Sequence, residues 1–265
     1  MKSISQINNK EYEIPQVLDD SENIDNFLSH NQNKPVIVVQ GLGFVGAVMS
    51  LVCANAINGE YAVIGIDLPS KSSFWRIASI NEGVFPIISS DKKVEEYFSI
   101  SKSKKNLYAT YDEYAYSKAD VIIVDINLDV EKNKGFYGEL NNYDVDLNPF
   151  KQAISCISKN CKEDVLILVE TTVPPGTTEK VIRPIIEYGL KKRMKSTKKY
   201  KLGHSYERVM PGPDYINSIQ NFYRVYSGIN EQSADEIEFF LKTIISTEKY
   251  PLTRLSNTNS TEVAK

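Results

Sequence analysis

Val36-Ile-Val-Val-Gln40-Gly41-Leu-Gly43-Phe-Val-Gly46, then an apolar, alanine-containing run, then Tyr61-Ala-Val-Ile-Gly-Ile-Asp67, is the stretch that decides how this chain folds. A β-branched run meets a glycine turn, a segment of helical periodicity comes next, and a second β-branched run ends on an acid. That is the order of a strand, a phosphate-binding turn, a helix and a second strand. Gly41 permits the tight turn, Gly43 admits a pyrophosphate close to the backbone, and Gly46 lets the helix lie close to the sheet. The helix N-terminus offers N–H groups and the positive end of its dipole to the phosphates. Asp67 stands 21 residues after Gly46, near the offset of about 20 at which an acid meets a ribose 2′-hydroxyl. Gly41, Gly43, Phe44, Val45, Gly46 and Asp67 are therefore the expected dinucleotide-binding residues. A carboxylate at position 67 repels a 2′-phosphate, which favours NAD over NADP.

Two other readings compete. The turn could belong to a different α/β protein. The run from Val36 to Ile57 is also 22 residues without a charge, long enough to cross a bilayer. Three glycines within six residues, Pro35 just ahead, and Gln40, Ser50 and Asn55 inside the run speak against a spanning helix. Each such glycine costs about 1 kcal/mol relative to alanine.

With 265 residues, 42% apolar and 25% charged, the chain can bury a substantial core as one large domain or two small ones. A net charge of −3 provides no global basic field, so nucleic acid is not an expected partner, and neither is a membrane. Three cysteines, Cys53, Cys156 and Cys161, show no zinc spacing and are too few for a disulfide framework, so no metal is expected. That usage fits a reducing cytoplasm, and the N-terminus lacks the apolar core of a signal peptide. With only two histidines, His30 and His204, chemistry built on a histidine cluster is not expected.

Residues 1–34 are polar and read as a loose extension with a short helix near Asp25 to Leu28. Beyond Asp67, helices are expected through Trp75 to Ile80, over Asp91 to Ile100 and over Asp112 to Ser117. Strands are expected at Leu107 to Thr110, Ala119 to Asp125 and Asp164 to Glu170, with Phe150 to Ile157 helical. Residues 126–146 form a long polar loop. Thr171 to Thr178 is a turn leading into a helix over Glu179 to Leu190. A basic run, Lys191 to Lys201, comes after it. It could draw phosphates, or it is a solvated helix end where cations suit the dipole. Strands at Tyr223 to Ser227 and Leu252 to Leu255 flank a helix over Ser233 to Ile245, and Ser260 to Lys265 opens another helix. The alternation implies a Rossmann-like, doubly wound α/β fold with a mainly parallel sheet. Ligands bind such sheets at the carboxyl ends of the strands, where Asp67, Asp125 and Glu170 to Thr172 stand.

Four pieces occur together: Gly41-Leu-Gly-Phe-Val-Gly46, Ile80-Asn-Glu-Gly83 with Pro86, Glu170-Thr-Thr-Val-Pro-Pro-Gly-Thr-Thr178, and Tyr206-Glu207-Arg208-Val-Met-Pro211-Gly212. In this order they resemble the NAD-binding domain of the UDP-glucose/GDP-mannose dehydrogenase family, across about residues 35–265. Thr261-Glu262-Val-Ala-Lys265 resembles the start of that family's interdomain helix. The resemblance implies an extension over 1–34, a Rossmann domain over 35–256, and the start of the linker helix over 257–265, with the central and C-terminal domains absent. It implies NAD as cofactor and a UDP- or GDP-linked sugar as substrate, oxidised twice at C6 to a uronic acid. By motif, Thr172 matches the active-site threonine, which also meets the cofactor. Glu207 matches the acid after the sixth strand, and Lys265 the catalytic lysine. Taken alone, Thr172 could cap the helix begun near Pro174, Glu207 could be a surface acid beside Arg208, and Lys265 an ordinary exposed lysine.

The family's catalytic cysteine lies in a glycine-rich segment beyond the linker helix, and none of the three cysteines here has that context. The chain is therefore expected to bind NAD and to be inactive alone, with a non-catalytic NAD-binding module as the alternative. Val124-Asp125-Ile126-Asn127 replaces the usual Val-Pro-Thr-Pro. The family's dimers form through the linker helix and the chain beyond it. The resemblance thus allows a homodimer of the full-length form and leaves the state of this chain open.

Overall fold

The computed structural model describes residues 1–128, 145–206 and 209–264. Most of the long polar loop expected over 126–146 lies outside the described residues, as do Glu207, Arg208 and Lys265. In chain order the elements are β1 (Lys2–Ile4), β2 (Glu11–Glu13), α1 (Ser21–Ser29), β3 (Val36–Gln40), α2 (Phe44–Ala54), β4 (Ala62–Ile66), α3 (Phe74–Glu82), α4 (Lys92–Lys104) and β5 (Leu107–Thr110). A 3₁₀ turn (Glu113–Ser117) leads to β6 (Val121–Val124), α5 (Asn148–Asn160) and β7 (Leu166–Val169). A π-helical turn (Thr178–Ile182) runs into α6 (Arg183–Lys192), then β8 (Lys201–Ser205), α7 (Tyr215–Gln220), β9 (Arg224–Gly228), α8 (Glu231–Ile244), β10 (Leu252–Arg254) and α9 (Thr258–Ala264).

The main sheet has the order β10-β9-β8-β7-β6-β3-β4-β5 and is parallel except between β8 and β9. Strands β3 and β4 are buried at every residue, as expected for a parallel sheet covered on both faces. Successive residues alternate between two cores. Ile37, Val39, Val63, Ile123 and Leu168 meet α2, α3, α4, α7 and α8 on one face. Val36, Val38, Ile64, Ile122 and Ile167 meet α1, α5 and α6 on the other. After β3 the chain runs to one side through β4 and β5, then returns to the other side at β6. The carboxyl ends of β3 and β6 therefore flank the point where the winding reverses, which is where a doubly wound sheet is expected to form its ligand crevice.

The run from Val36 to Ile57 resolves into a strand, a turn and an 11-residue helix. Among the described residues no helix is long and apolar enough to cross a membrane. Helix α2 is buried continuously from Gly46 to Ala54 because it lies between the sheet and helices α4 and α7.

The first 34 residues are not loose. β1 and β2 pair antiparallel, and Tyr12 enters the core beside Phe74 and Trp75. Helix α1 spans nine residues, and the Asp20 carboxylate before it accepts from Tyr108 Oη (2.8 Å) and Thr110 Oγ1 (2.6 Å). Composition pointed to disorder because these contacts, 88 and 90 residues apart in sequence, are tertiary. Helix α7 was likewise not expected after the Pro211-Gly-Pro break, and its six residues carry too little periodicity to be read alone.

Strand β5 ends the sheet on one side, and Asn81 closes it. The Asn81 side-chain amide donates to Ala109 O (2.7 Å), and its carbonyl accepts from Ala109 N (2.9 Å). The Asn-Glu-Gly segment is thus more than turn chemistry, although Gly83, at φ +86°, does end α3. Replacing Asn81 by alanine strands both backbone groups of the buried Ala109. Urea unfolding of Asn81→Ala is expected to show a loss of about 1–3 kcal/mol.

Candidate functional site

The glycine turn sits at the crevice between β3 and β6. Gly41 has φ +100°, in the left-handed region, and a Cβ there would lie 2.4 Å from the Asp125 carbonyl oxygen. A Cβ on Gly46 would lie 1.9 Å from the Gly41 carbonyl oxygen. A side chain at either position would push α2 away from the turn. Gly43, at the N-terminus of α2, is different: a Cβ there would meet no atom within 4 Å. The space in front of Gly43 is therefore open for a ligand to approach the backbone. Phe44 is exposed and Val45 half-buried in the first turn, and Tyr215 Oη on α7 donates to Phe44 O (2.5 Å), bracing the start of the helix.

Asp67 lies just past β4, and its carboxylate faces the turn. It accepts from Leu68 N (2.8 Å) and Leu42 N (3.3 Å) and pairs with Arg76 of α3 at 3.1 Å. Burial pushes its carboxyl above the ordinary range, opposed by the Leu68 amide and by the Arg76 guanidinium. A close fit at Gly41 and Gly46, open space at Gly43 on a helix N-terminus, and an acid one strand away suit a dinucleotide with its pyrophosphate at α2.

Beyond β7 the backbone is held tightly. Glu170 and Arg224 form a fully buried ion pair between β7 and β9. Thr171 Oγ1 donates to Val124 O (3.0 Å) and accepts from Ile126 N (2.9 Å), tying the end of β7 to that of β6. Thr172 comes next and is exposed, past the end of β7, which lies two strands from β3 in the sheet. The expected turn over 171–178 is present, but Thr172 does not cap the helix after it. Glu262 on α9 takes that role, accepting from Gly176 N and Thr178 N with both carboxylate oxygens. The same helix places Thr261 Oγ1 against His204 Nδ1 (3.1 Å), and His204 Nε2 lies 3.4 Å from Thr171 O. The buried His204 therefore links α9 to the threonine turn.

The structure thus brings Gly41, Gly43, Phe44, Val45, Gly46, Asp67 and Thr172 to one edge of the sheet. Glu207 and Lys265 lie outside the described residues. Asp125, read as a strand-end candidate, is buried under the turn. Sequence reasoning missed Arg76, Glu262 and His204. The signal available for Arg76 was a base nine residues after the acid, one helix turn into α3.

No thiol here is poised as a nucleophile. Cys53 and Cys161 are buried and desolvation raises both. Cys156 on α5 is pushed up to about 11 by burial and the neighbouring Glu113, so little thiolate exists near neutrality.

Comparison with known proteins agrees with this outline. The model of the UDP-glucose/GDP-mannose dehydrogenase family, NAD binding domain, matches residues 35–244. The UDP-N-acetyl-D-mannosamine dehydrogenase of Pyrococcus horikoshii is 27% identical over 232 residues, 86% of this chain and 48% of that protein. The UDP-N-acetyl-D-glucosamine 6-dehydrogenase of Pseudomonas aeruginosa is 26% identical over 210 residues, 79% of this chain and 44% of that one. The chain thus spans about half the length of these curated relatives. The crystal structure of NDP-N-acetyl-D-galactosaminuronic acid dehydrogenase from Methanosarcina mazei Go1 superposes with a TM-score of 0.77 at 24% identity. It covers 91% of this chain and 48% of that one, which shows a shared fold.

Two outcomes are expected from the turn. Gly46→Ala should abolish NAD binding and lower stability, read by calorimetry and thermal unfolding, because its Cβ has no room. Asp67→Ala should weaken NAD by about 1.5–3 kcal/mol through loss of charged hydrogen bonds. It should also narrow the preference over NADP, since Arg76 is then freed for a 2′-phosphate. Unchanged affinities for both cofactors would refute that role of Asp67.

Proposed function

We propose, since this chain belongs to the UDP-glucose/GDP-mannose dehydrogenase family and carries its NAD-binding domain, that it serves an enzyme oxidising the C6 alcohol of a UDP-linked N-acetylamino sugar to the uronic acid. The activities named for the relatives favour a UDP-linked over a GDP-linked substrate. In this reading the amides at the start of α2 hold the pyrophosphate and Asp67 holds the adenosine ribose. NAD, when bound, accepts hydride from the sugar, two molecules being used for alcohol to acid. Thr172 stands toward the nicotinamide end, where its hydroxyl would order the water that releases the acid from a thioester to the enzyme's cysteine. Glu207 and Lys265 are assigned by motif alone, as the carboxylate that assists this water and the ammonium that meets the oxyanion.

One observation carries the reading: the glycine turn and the Glu170–Thr178 segment, motifs of one family, stand on the same edge of one sheet, joined through Val124 and Thr171. Burial of Cys53 and Cys161 and the raised thiol pKa values of all three cysteines speak against Cys53, Cys156 or Cys161 as the thiol that such chemistry needs for the aldehyde step. Catalysis therefore calls for a thiol from other residues. A homodimer of the full-length form remains part of the proposal.

The purified chain is expected to bind NAD in calorimetry. It is expected to release no NADH when given UDP-N-acetylmannosamine, UDP-glucose or GDP-mannose. Absent NAD binding would overturn the first part, and sustained NADH release the second.

A further inference from the structure

Residues 1–14 lie outside the region that matches the family, yet they hold a helix of the cofactor site at both ends. Ser3 is fully buried. Its hydroxyl donates to Lys71 O (2.8 Å) and accepts from Trp75 N (3.0 Å). The Trp75 amide is one of the first-turn donors that α3 itself cannot satisfy. Ser73 occupies the N-cap position, but it turns its own hydroxyl to Leu68 O (2.6 Å). The cap on Trp75 is thus supplied by a residue 72 positions away. At the other end of α3, Tyr12 Oη donates to Glu82 (3.0 Å) and the Lys10 ammonium pairs with the same carboxylate (2.6 Å).

What α3 carries explains the interest of this grip. Arg76 directly succeeds Trp75 and reaches back to Asp67 at 3.1 Å. The segment that Ser3 pins, residues 68–73, is the connection between Asp67 and α3. We propose that the β1–β2 hairpin positions the adenosine end of the cofactor site, with Ser3 fixing residues 68–73 and the first turn of α3 so that Arg76 holds the Asp67 carboxylate in place. Ser3 is a positioning residue and does not touch the cofactor. The proposal rests on Asp67 being the ribose-binding acid. Without the cap the first turn of α3 frays, Arg76 loses its fixed pose, and the carboxylate loses a counter-charge that offsets its burial.

The test compares the full chain with Ser3→Ala and Asp67→Ala, titrated with NAD, ADP-ribose and NADP by calorimetry, with thermal unfolding alongside. Ser3→Ala removes one oxygen and leaves the hairpin in place, which deletion of residues 1–14 does not. Ser3→Ala is expected to weaken NAD and ADP-ribose by the same factor, about fivefold for a lost cap, and to narrow the preference for NAD over NADP, at a temperature well below its midpoint. A lowered midpoint with unchanged affinities would mean that the hairpin only stabilises the fold, and would overturn the proposal. If Asp67→Ala weakens NAD and Ser3→Ala does not, the positioning role alone fails. If Asp67→Ala leaves NAD affinity unchanged, the ribose reading fails and takes this proposal with it.

Discussion

The carbonyl oxygen of Gly41 occupies the place where a side chain on residue 46 would begin. Much of the site depends on that contact. It seats α2 against the turn, so the first amides of the helix face the crevice between β3 and β6. It also sets the turn against Asp125, since Gly41 lies directly over the Asp125 carbonyl. A helix displaced by one methyl group would shift its first amides away from the open space before Gly43.

A second set of contacts holds the opposite half of the crevice. The buried Glu170–Arg224 pair locks β7 to β9 across β8. A buried ion pair is weak evidence of stability, because both ions must leave water. Its clearer effect is geometric, since the carboxylate before the threonine turn has one place to go. The turn is held again from above, by Glu262 on α9, and from beneath, by His204. Thr172 is exposed on a backbone fixed from several sides.

The sheet was legible in the sequence because its signals are local. Continuous β-branched runs marked β3, β4, β6 and β7 to within two residues, the last three closing on Asp67, Asp125 and Glu170, and glycines at fixed offsets marked the turn. The unread parts depend on distant partners. Ser3, Tyr12 and Asp20 sit in a polar segment that resembles a loose tail until Trp75, Glu82 and Tyr108 are in place. Glu262 stands in a motif, but nothing local says that it caps a helix 84 residues earlier. Arg76 gains meaning only when α3 folds back over Asp67. The antiparallel β9 was unreadable for the same reason, as strand direction is a property of the pairing and not of the run.

The amide of Asn81 has a consequence for how copies of this chain can meet. An unpaired strand at the side of a sheet is a template for a strand from another molecule. At β5 the outward-facing N–H and C=O of Ala109 are already taken by one side chain that mimics a neighbouring strand. A foreign strand would have to evict that amide from the middle of a four-residue element before gaining any bond. Growth of a continuous intermolecular sheet, whether as an ordered dimer or as a fibril, is thereby opposed at Ala109 on this flank.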